Sequence, residues 1–287
     1  MSLTLRPVTD ADAEPCGRII YEAFKRFHAR HRFPRDFQSL AEAVQLAGLF
    51  IGHPAIFGVV AEMDGRIVGS NFLDERNAVR GVGPITVDPD VQGQRVGRRL
   101  MEAVIERGRE AAGIRLVQDG FNMRSLALYA SLGFEATEPL ALLAGRPQGN
   151  APPDAEVRRL GIEDLEDCAT LCRRVHGFDR ASELRDAMAL FSPVVLRRAG
   201  RVVAYASAPF YWKLNHGVAE TEDDMRALLL GAGTVIHEPL AMLLPVRQAS
   251  FFRWCLAEGF RTVKPMTLMA RGSYQEPEGC YFPSVLY

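Results

Sequence analysis

Residues 85–99 read ITVDPDVQGQRVGRR. The run Ile85 to Val87 is apolar and β-branched, which favours a strand. Asp88-Pro89-Asp90 then breaks it. Beyond the glycine-bearing turn, Val96, Leu100, Met101, Val104, Ile105 and Gly108 recur at helical spacing and predict a helix over 96–112. The first amides of such a helix have no partner within it, and its dipole is positive at this end. A diphosphate fits such a place. Gly93 and Gly97 let backbone amides approach an anion closely. Arg98 and Arg99 oppose the dipole by roughly 0.3–1 kcal/mol each, an arrangement that makes sense beside a multiply charged anion.

Upstream, residues 3–8 alternate like a short strand, and Asp10 and Asp12 offer caps for a helix reaching Phe27. A second helix is expected over 37–48. Ile56 to Glu62 and Arg66 to Asp74 read as strands about an Asp64-Gly65 turn. Another strand is expected over 80–87. Downstream come a short strand, Ile114 to Gln118, a helix, Asn122 to Leu132, closed by Gly133, and a strand from Phe134 to Leu143. Residues 146–153 (RPQGNAPP) lack apolar periodicity and read as a linker. The element order then restarts, from the strand Glu156 to Arg159 onward. This is a repeat at domain scale rather than a solenoid.

The bulk numbers exclude several classes. The chain has 287 residues, 48% hydrophobic and 24% charged, with a net charge of −1. It suits two globular domains, and nothing global suggests nucleic acid or an anionic membrane as partner. The five cysteines are irregularly spaced, so free thiols and a cytoplasmic setting are expected. The histidines are scattered, and no metal site is expected. No membrane partner or span is expected either.

Two motifs carry a resemblance. Gln92-Gly93-Gln94-Arg95-Val96-Gly97 resembles the Q/R-x-x-G-x-G/A signature of the GCN5-related N-acetyltransferase (GNAT) superfamily. Arg95 stands at the signature's middle glycine, where a left-handed backbone would strain it. Asn122 to Phe134 (NMRSLALYASLGF) resembles the second signature: an asparagine, a tyrosine seven residues on, then Gly-Phe. The resemblance covers residues 3 to 145. It implies an α/β chain of two tandem GNAT-like domains, each with a mixed, mostly antiparallel central sheet flanked by helices. The first would occupy residues 1–145 and the second 154–287.

The resemblance further implies acetyl-CoA as co-substrate, without metal. The backbone of Ile85, Thr86 and Val87 would pair with the pantetheine arm. The amides of Gly93, Gln94, Arg95, Val96, Gly97 and Arg98, after Gln92, would cradle the pyrophosphate. Asn122 would contact the pantetheine, and Tyr129 would face the thioester sulfur. A phenol with a pKa near 10 can protonate a departing thiolate. For the general base, Glu75 comes first and Asp74 second, with Asn71 beside them and a water chain as the alternative. The implied activity is direct transfer of acetyl to a primary amine of a small molecule or protein. The alternative is a non-catalytic acyl-CoA sensor or scaffold. A homodimer is allowed.

The second half resembles the superfamily only faintly. Glu220, Glu222, Asp223 and Asp224 crowd the counterpart helix start, where they would repel a diphosphate. Aligned on Gly259-Phe260, Cys255 falls at the position of Tyr129. This half is therefore expected to keep the scaffold without the cofactor site. The apolar end, Tyr281 to Tyr287, should dock, and its carboxylate is a further candidate base if it reaches the first half's cleft.

Overall fold

The computed structural model describes residues 3–287, which divide between Ile114 and Arg115 into two compact units.

The first unit contains β1 (Leu3–Pro7), α1 (Ala13–His31), α2 (Leu40–Ile51), β2 (Ile56–Met63), β3 (Arg66–Asp74), β4 (Val79–Val82), β5 (Thr86–Val87) and α3 (Val96–Arg107). β2 pairs antiparallel with β1 and β3, and β3 carries both β4 and β5. The strand expected over 80–87 is thus two short ones. Pro84 between them has no amide to give a ladder. Side chains alternate across β3. Phe72 meets Phe50 of α2 edge-on at 5.6 Å, while Asn71 Nδ2 donates to the Leu100 carbonyl of α3 at 3.3 Å. Helices therefore cover both faces. Leu100, Met101 and Val104 are fully buried, each worth roughly 1.5–3 kcal/mol. Ser39 caps α2, accepting from the Glu42 amide, which moves the expected 37–48 helix to 40–51.

The second unit runs β6 (Gly113–Asp119), α4 (Met123–Ser131), β7 (Glu135–Gly145), β8 (Glu156–Arg159), α5 (Leu165–His176), α6 (Ala181–Leu190), β9 (Val194–Arg198), β10 (Arg201–Ala206), β11 (Gly217–Ala219), α7 (Glu222–Val235), β12 (Leu240–Pro245), α8 (Ala249–Ala257), β13 (Arg261–Gly272) and β14 (Cys280–Phe282). One group of strands is ordered β6-β13-β7-β12 and a second sheet β14-β11-β10-β9-β8. Val194 and Leu196 pack with Met225 and Leu228 of α7. Val195, between them, packs with Cys168 and Leu171 of α5 on the opposite face. All five cysteines are free and buried.

The division expected at residues 146–153 is not where the chain separates. β7, before that segment, pairs with β12 and β13, after it. β13 of the second half lies between β6 and β7, and β7 of the first lies between β13 and β12, so the linker joins strands of one unit.

The repeat expected from element order has a structural counterpart. Arg6 binds both oxygens of buried Asp12, at 2.7 and 2.9 Å. Arg158 binds both oxygens of buried Asp164 in the same way, at 2.6 and 2.9 Å. In each case the aspartate also accepts from a backbone amide three residues back, Thr9 or Gly161. Among the described residues no helix is long and apolar enough to cross a membrane.

Candidate active site

β5 leads into the segment that the sequence singled out. The Asp88 amide donates to the Val68 carbonyl at 2.8 Å, and Thr86 pairs with Ser70. In an extended strand the backbone groups of neighbouring residues point oppositely, so those of Ile85 and Val87 face away from β3. The Gln92 side chain donates to the Val87 carbonyl at 3.3 Å. Asp88 caps the following turn by accepting from the Asp90 amide at 3.0 Å. Arg66 holds Asp88 at 2.8 Å and Arg26 holds Asp90 at 2.9 Å. Val91 is tucked in as the turn's apolar anchor.

The turn then winds left-handed twice. Gly93 has φ 97° and Arg95 has φ 63°, ψ 8°. Only glycine takes the first without cost; for arginine the second costs about 1 kcal/mol or more. The strain foreseen at Arg95 is therefore present. The first bond inside α3 runs from the Arg99 amide to the Arg95 carbonyl at 3.1 Å. The amides of Val96 and Gly97 lie ahead of that ladder. No side chain caps α3, and no acid lies in its first turn. The two arginines differ in use. Arg99 donates to the Leu3 carbonyl at 2.7 Å, a structural task. Arg98 lies 3.8 Å from Glu102.

The two carboxylates proposed as bases are both held by arginine. Asp74, buried at the end of β3, receives Arg76 through Nε at 2.9 Å and a terminal nitrogen at 2.5 Å, and also the Arg76 amide at 3.0 Å. Glu75 receives Arg107 on both oxygens, at 3.0 and 2.9 Å. Both carboxylates are thus already engaged by guanidinium groups. Asn71 is spent on tying β3 to α3.

In the second unit, α4 carries Asn122 and Tyr129. Asn122 is the N-cap, accepting the Ser125 amide at 3.1 Å through its side-chain oxygen. Tyr129 is nearly sealed from solvent, beside Phe134 at 6.3 Å. Burial pushes its hydroxyl up to about 12; a hydrogen bond with Ser125 opposes this, and the charge of Asp119 adds to it. It is therefore an acid that stays protonated at neutral pH. Asp119 itself meets Lys264 Nζ at 2.6 Å. Sequence reading missed that pair, although a lysine inside the apolar strand TVKPMTLMA was a signal.

In the second half the counterpart helix start is that of α7. Thr221 caps α7 by accepting the Asp224 amide at 3.1 Å, and Glu222, Asp223 and Asp224 fill its first turn. The helix start is already served by its own acids. Burial pushes the Cys255 thiol up to about 12, which leaves it no thiolate to act with. The C-terminal segment docks in its own unit: β14 pairs with β11, and Tyr287 stacks on Phe178 with centroids 5.9 Å apart.

A sequence model of the acetyltransferase (GNAT) family matches residues 18–134. No curated protein matches the chain. Among solved structures, a putative acetyltransferase from Pyrococcus horikoshii is similar at TM-score 0.78 and 17% identity, over 99% of this chain and 94% of that one. A GCN5-related N-acetyltransferase from Sphaerobacter thermophilus is similar at TM-score 0.64 and 12% identity, over 96% of each chain. A tandem GNAT protein from the clavulanic acid biosynthesis pathway is similar at TM-score 0.58 and 15% identity, over 96% of this chain and all of that one. At such identities these likenesses speak to fold.

Proposed function

We propose that this chain, whose residues 18–134 match a sequence model of the acetyltransferase (GNAT) family, binds acetyl-CoA and transfers its acetyl group to a primary amine of a small molecule or protein. One observation carries the reading: the start of α3 combines two left-handed turn residues with a first turn free of acids and of side-chain caps. Backbone amides and dipole there suit a diphosphate. α7, with three acids in the same place, suits none.

In this reading Gln92, Gly93, Gln94, Arg95, Val96, Gly97 and Arg98 hold the pyrophosphate. Ile85 and Val87 offer backbone to the pantetheine arm and Asn122 contacts it, while Thr86 between them is turned to Ser70 of β3. The amine nitrogen attacks the thioester carbonyl, and the oxyanion takes a hydrogen bond from an amide near Val87. The C–S bond then breaks. Tyr129 gives its proton to the departing thiolate; the attacking nitrogen sheds its extra proton to water, and water returns a proton to the phenolate, leaving the amide and the free CoA thiol. The arginine partners of Asp74 and Glu75 argue against either as base.

Titration calorimetry with CoA, followed by thiol release across a panel of amines, tests the proposal. Binding with turnover on at least one amine supports it. Binding without turnover on any amine leaves the acyl-CoA sensor. No binding ends both.

A further inference from the structure

The two halves treat one strand differently. In the first half β3 pairs with β5 through Gly69↔Val87 and Ser70↔Thr86. In the second half β10 pairs with β11 through Ala204↔Ala219 and Tyr205↔Val218. The next amide repeats as well: Asp88 donates to Val68, and Glu220 donates to Val203 at 2.9 Å. Gly217 and Ala219 therefore stand where Ile85 and Val87 stand, with their backbone groups turned away from the preceding strand.

In the second half those groups meet a strand of the same chain. Gly217 is opposite Phe282 and Ala219 opposite Cys280. Gly217 is required there, because a Cβ would lie 2.2 Å from the Phe282 ring. The far edge of this strand is also held. Gln248 donates through Nε2 to the Tyr281 carbonyl at 2.6 Å and accepts the Tyr281 amide at 3.3 Å. Gln248 is the N-cap of α8, as Asn122 is of α4. Both helices have nine residues and end alike. The Phe134 amide closes on Tyr129 at 3.1 Å, and the Phe260 amide on Cys255 at 3.0 Å. Gln248, one methylene longer than Asn122, reaches a peptide group instead of capping its own helix.

We infer that the C-terminal strand Cys280–Phe282 lies where the second half would otherwise take a pantetheine arm, so that the chain binds one acetyl-CoA and fills its second place with its own backbone. The inference rests on the acetyltransferase reading, which gives Ile85, Val87 and Asn122 their roles. The chemistry is matched: an extended peptide and a pantetheine arm both present amides to a strand edge. The segment is fixed on both sides of β14: before it the Glu278 amide donates to the Val175 carbonyl at 2.9 Å, and after it Ser284 receives Arg180 at 3.0 Å and the Val285 amide donates to the Lys213 carbonyl at 2.9 Å. Tyr281, Phe282 and Ser284 are fully buried. The acids of α7 exclude the rest of a CoA from that half.

Hydrogen exchange on the full chain, with and without saturating CoA, tests this beside the binding stoichiometry. Without ligand, the amides of Cys280, Tyr281 and Phe282 should exchange at least 100-fold more slowly than free peptide. CoA should slow residues 85–98 at least tenfold, leave 217–219 and 280–282 unchanged, and bind once per chain. Gln248→Ala should speed exchange at Tyr281 at least tenfold while the stoichiometry stays one. Free exchange at 280–282 without ligand overturns the inference. So does a second bound CoA, or slowing at 217–219 on its addition. If CoA binds nowhere, the acetyltransferase reading fails; protection at 280–282 then still upholds the lodged strand.

Discussion

Lys264 Nζ lies 2.6 Å from Asp119 Oδ1, with the lysine side chain wholly withdrawn from solvent and the aspartate 5% exposed. The pair joins the end of β6 to β13, two strands brought together only by the exchange between halves. Trp212 flanks the ammonium, its ring centre 5.1 Å away. Lys264→Met would leave a buried carboxylate without its cation. The expected loss is about 3–5 kcal/mol in urea unfolding. Adding Asp119→Leu should recover most of it. A single-variant loss under about 1 kcal/mol would show that the pair does not hold these strands.

Arg95 is held left-handed at the start of α3. Arg95→Gly relieves that strain and gives back part of it through a freer unfolded chain. A net gain of about 0.5–1 kcal/mol is expected in thermal unfolding. Arg95→Val should destabilise instead, since branching at Cβ tolerates this conformation least. Equal melting temperatures for the three proteins would mean that the turn is not left-handed in solution.

Tyr129→Phe should lower turnover by about 100-fold or more and leave CoA affinity nearly intact, as removal of a general acid does. Stability supplies an independent readout. The folded hydroxyl titrates near 12 against 10 when unfolded. A raised value stabilises the fold fully below pH 10, and that contribution is lost as pH climbs through 12. It amounts to roughly 2–3 kcal/mol. Wild type should therefore weaken more steeply than Tyr129→Phe between pH 10 and 12. Parallel curves would contradict the burial of this hydroxyl.

Asp12 behaves oppositely. Its hydrogen bonds from Arg6 hold the carboxyl down to about 2, against an ordinary 3.8, with the Thr9 bonds adding and burial opposing. A lowered value stabilises the fold above pH 3.8 and is lost as pH falls through 2. Because Arg6 is partly exposed, the contribution is roughly 1–2 kcal/mol. Asp12→Asn should be less stable than wild type at pH 6, and the two should converge near pH 2. A constant gap across that range would remove Arg6 as the cause.

Local pattern carried much of the fold. The stripe of α3, the hairpin about Asp64-Gly65 and the Gly-Phe closure of α4 all depend on residues close in sequence. So does the turn from Asp88 to Val96, where proline, glycine and the missing acids announce a helix start open to an anion. Partners far apart were not legible. Glu75 read as a strand-end carboxylate, yet Arg107 on α3 claims it. Asn122 was legible as a polar residue at a helix start, and its capping of Ser125 follows from that position.

By itself the sequence determined two runs of the same element order, an acid-free helix start in the first and an acid-filled one in the second. Those properties reside in periodicity and in charge near one helix end, which short segments fix. Tertiary structure alone decided that β13 would enter between β6 and β7, that β7 would pair with β12, and that β14 would lie along β11. Apolar alternation states that a strand must be buried on a face. Every strand edge offers the same amides and carbonyls, so alternation cannot name the edge it will join.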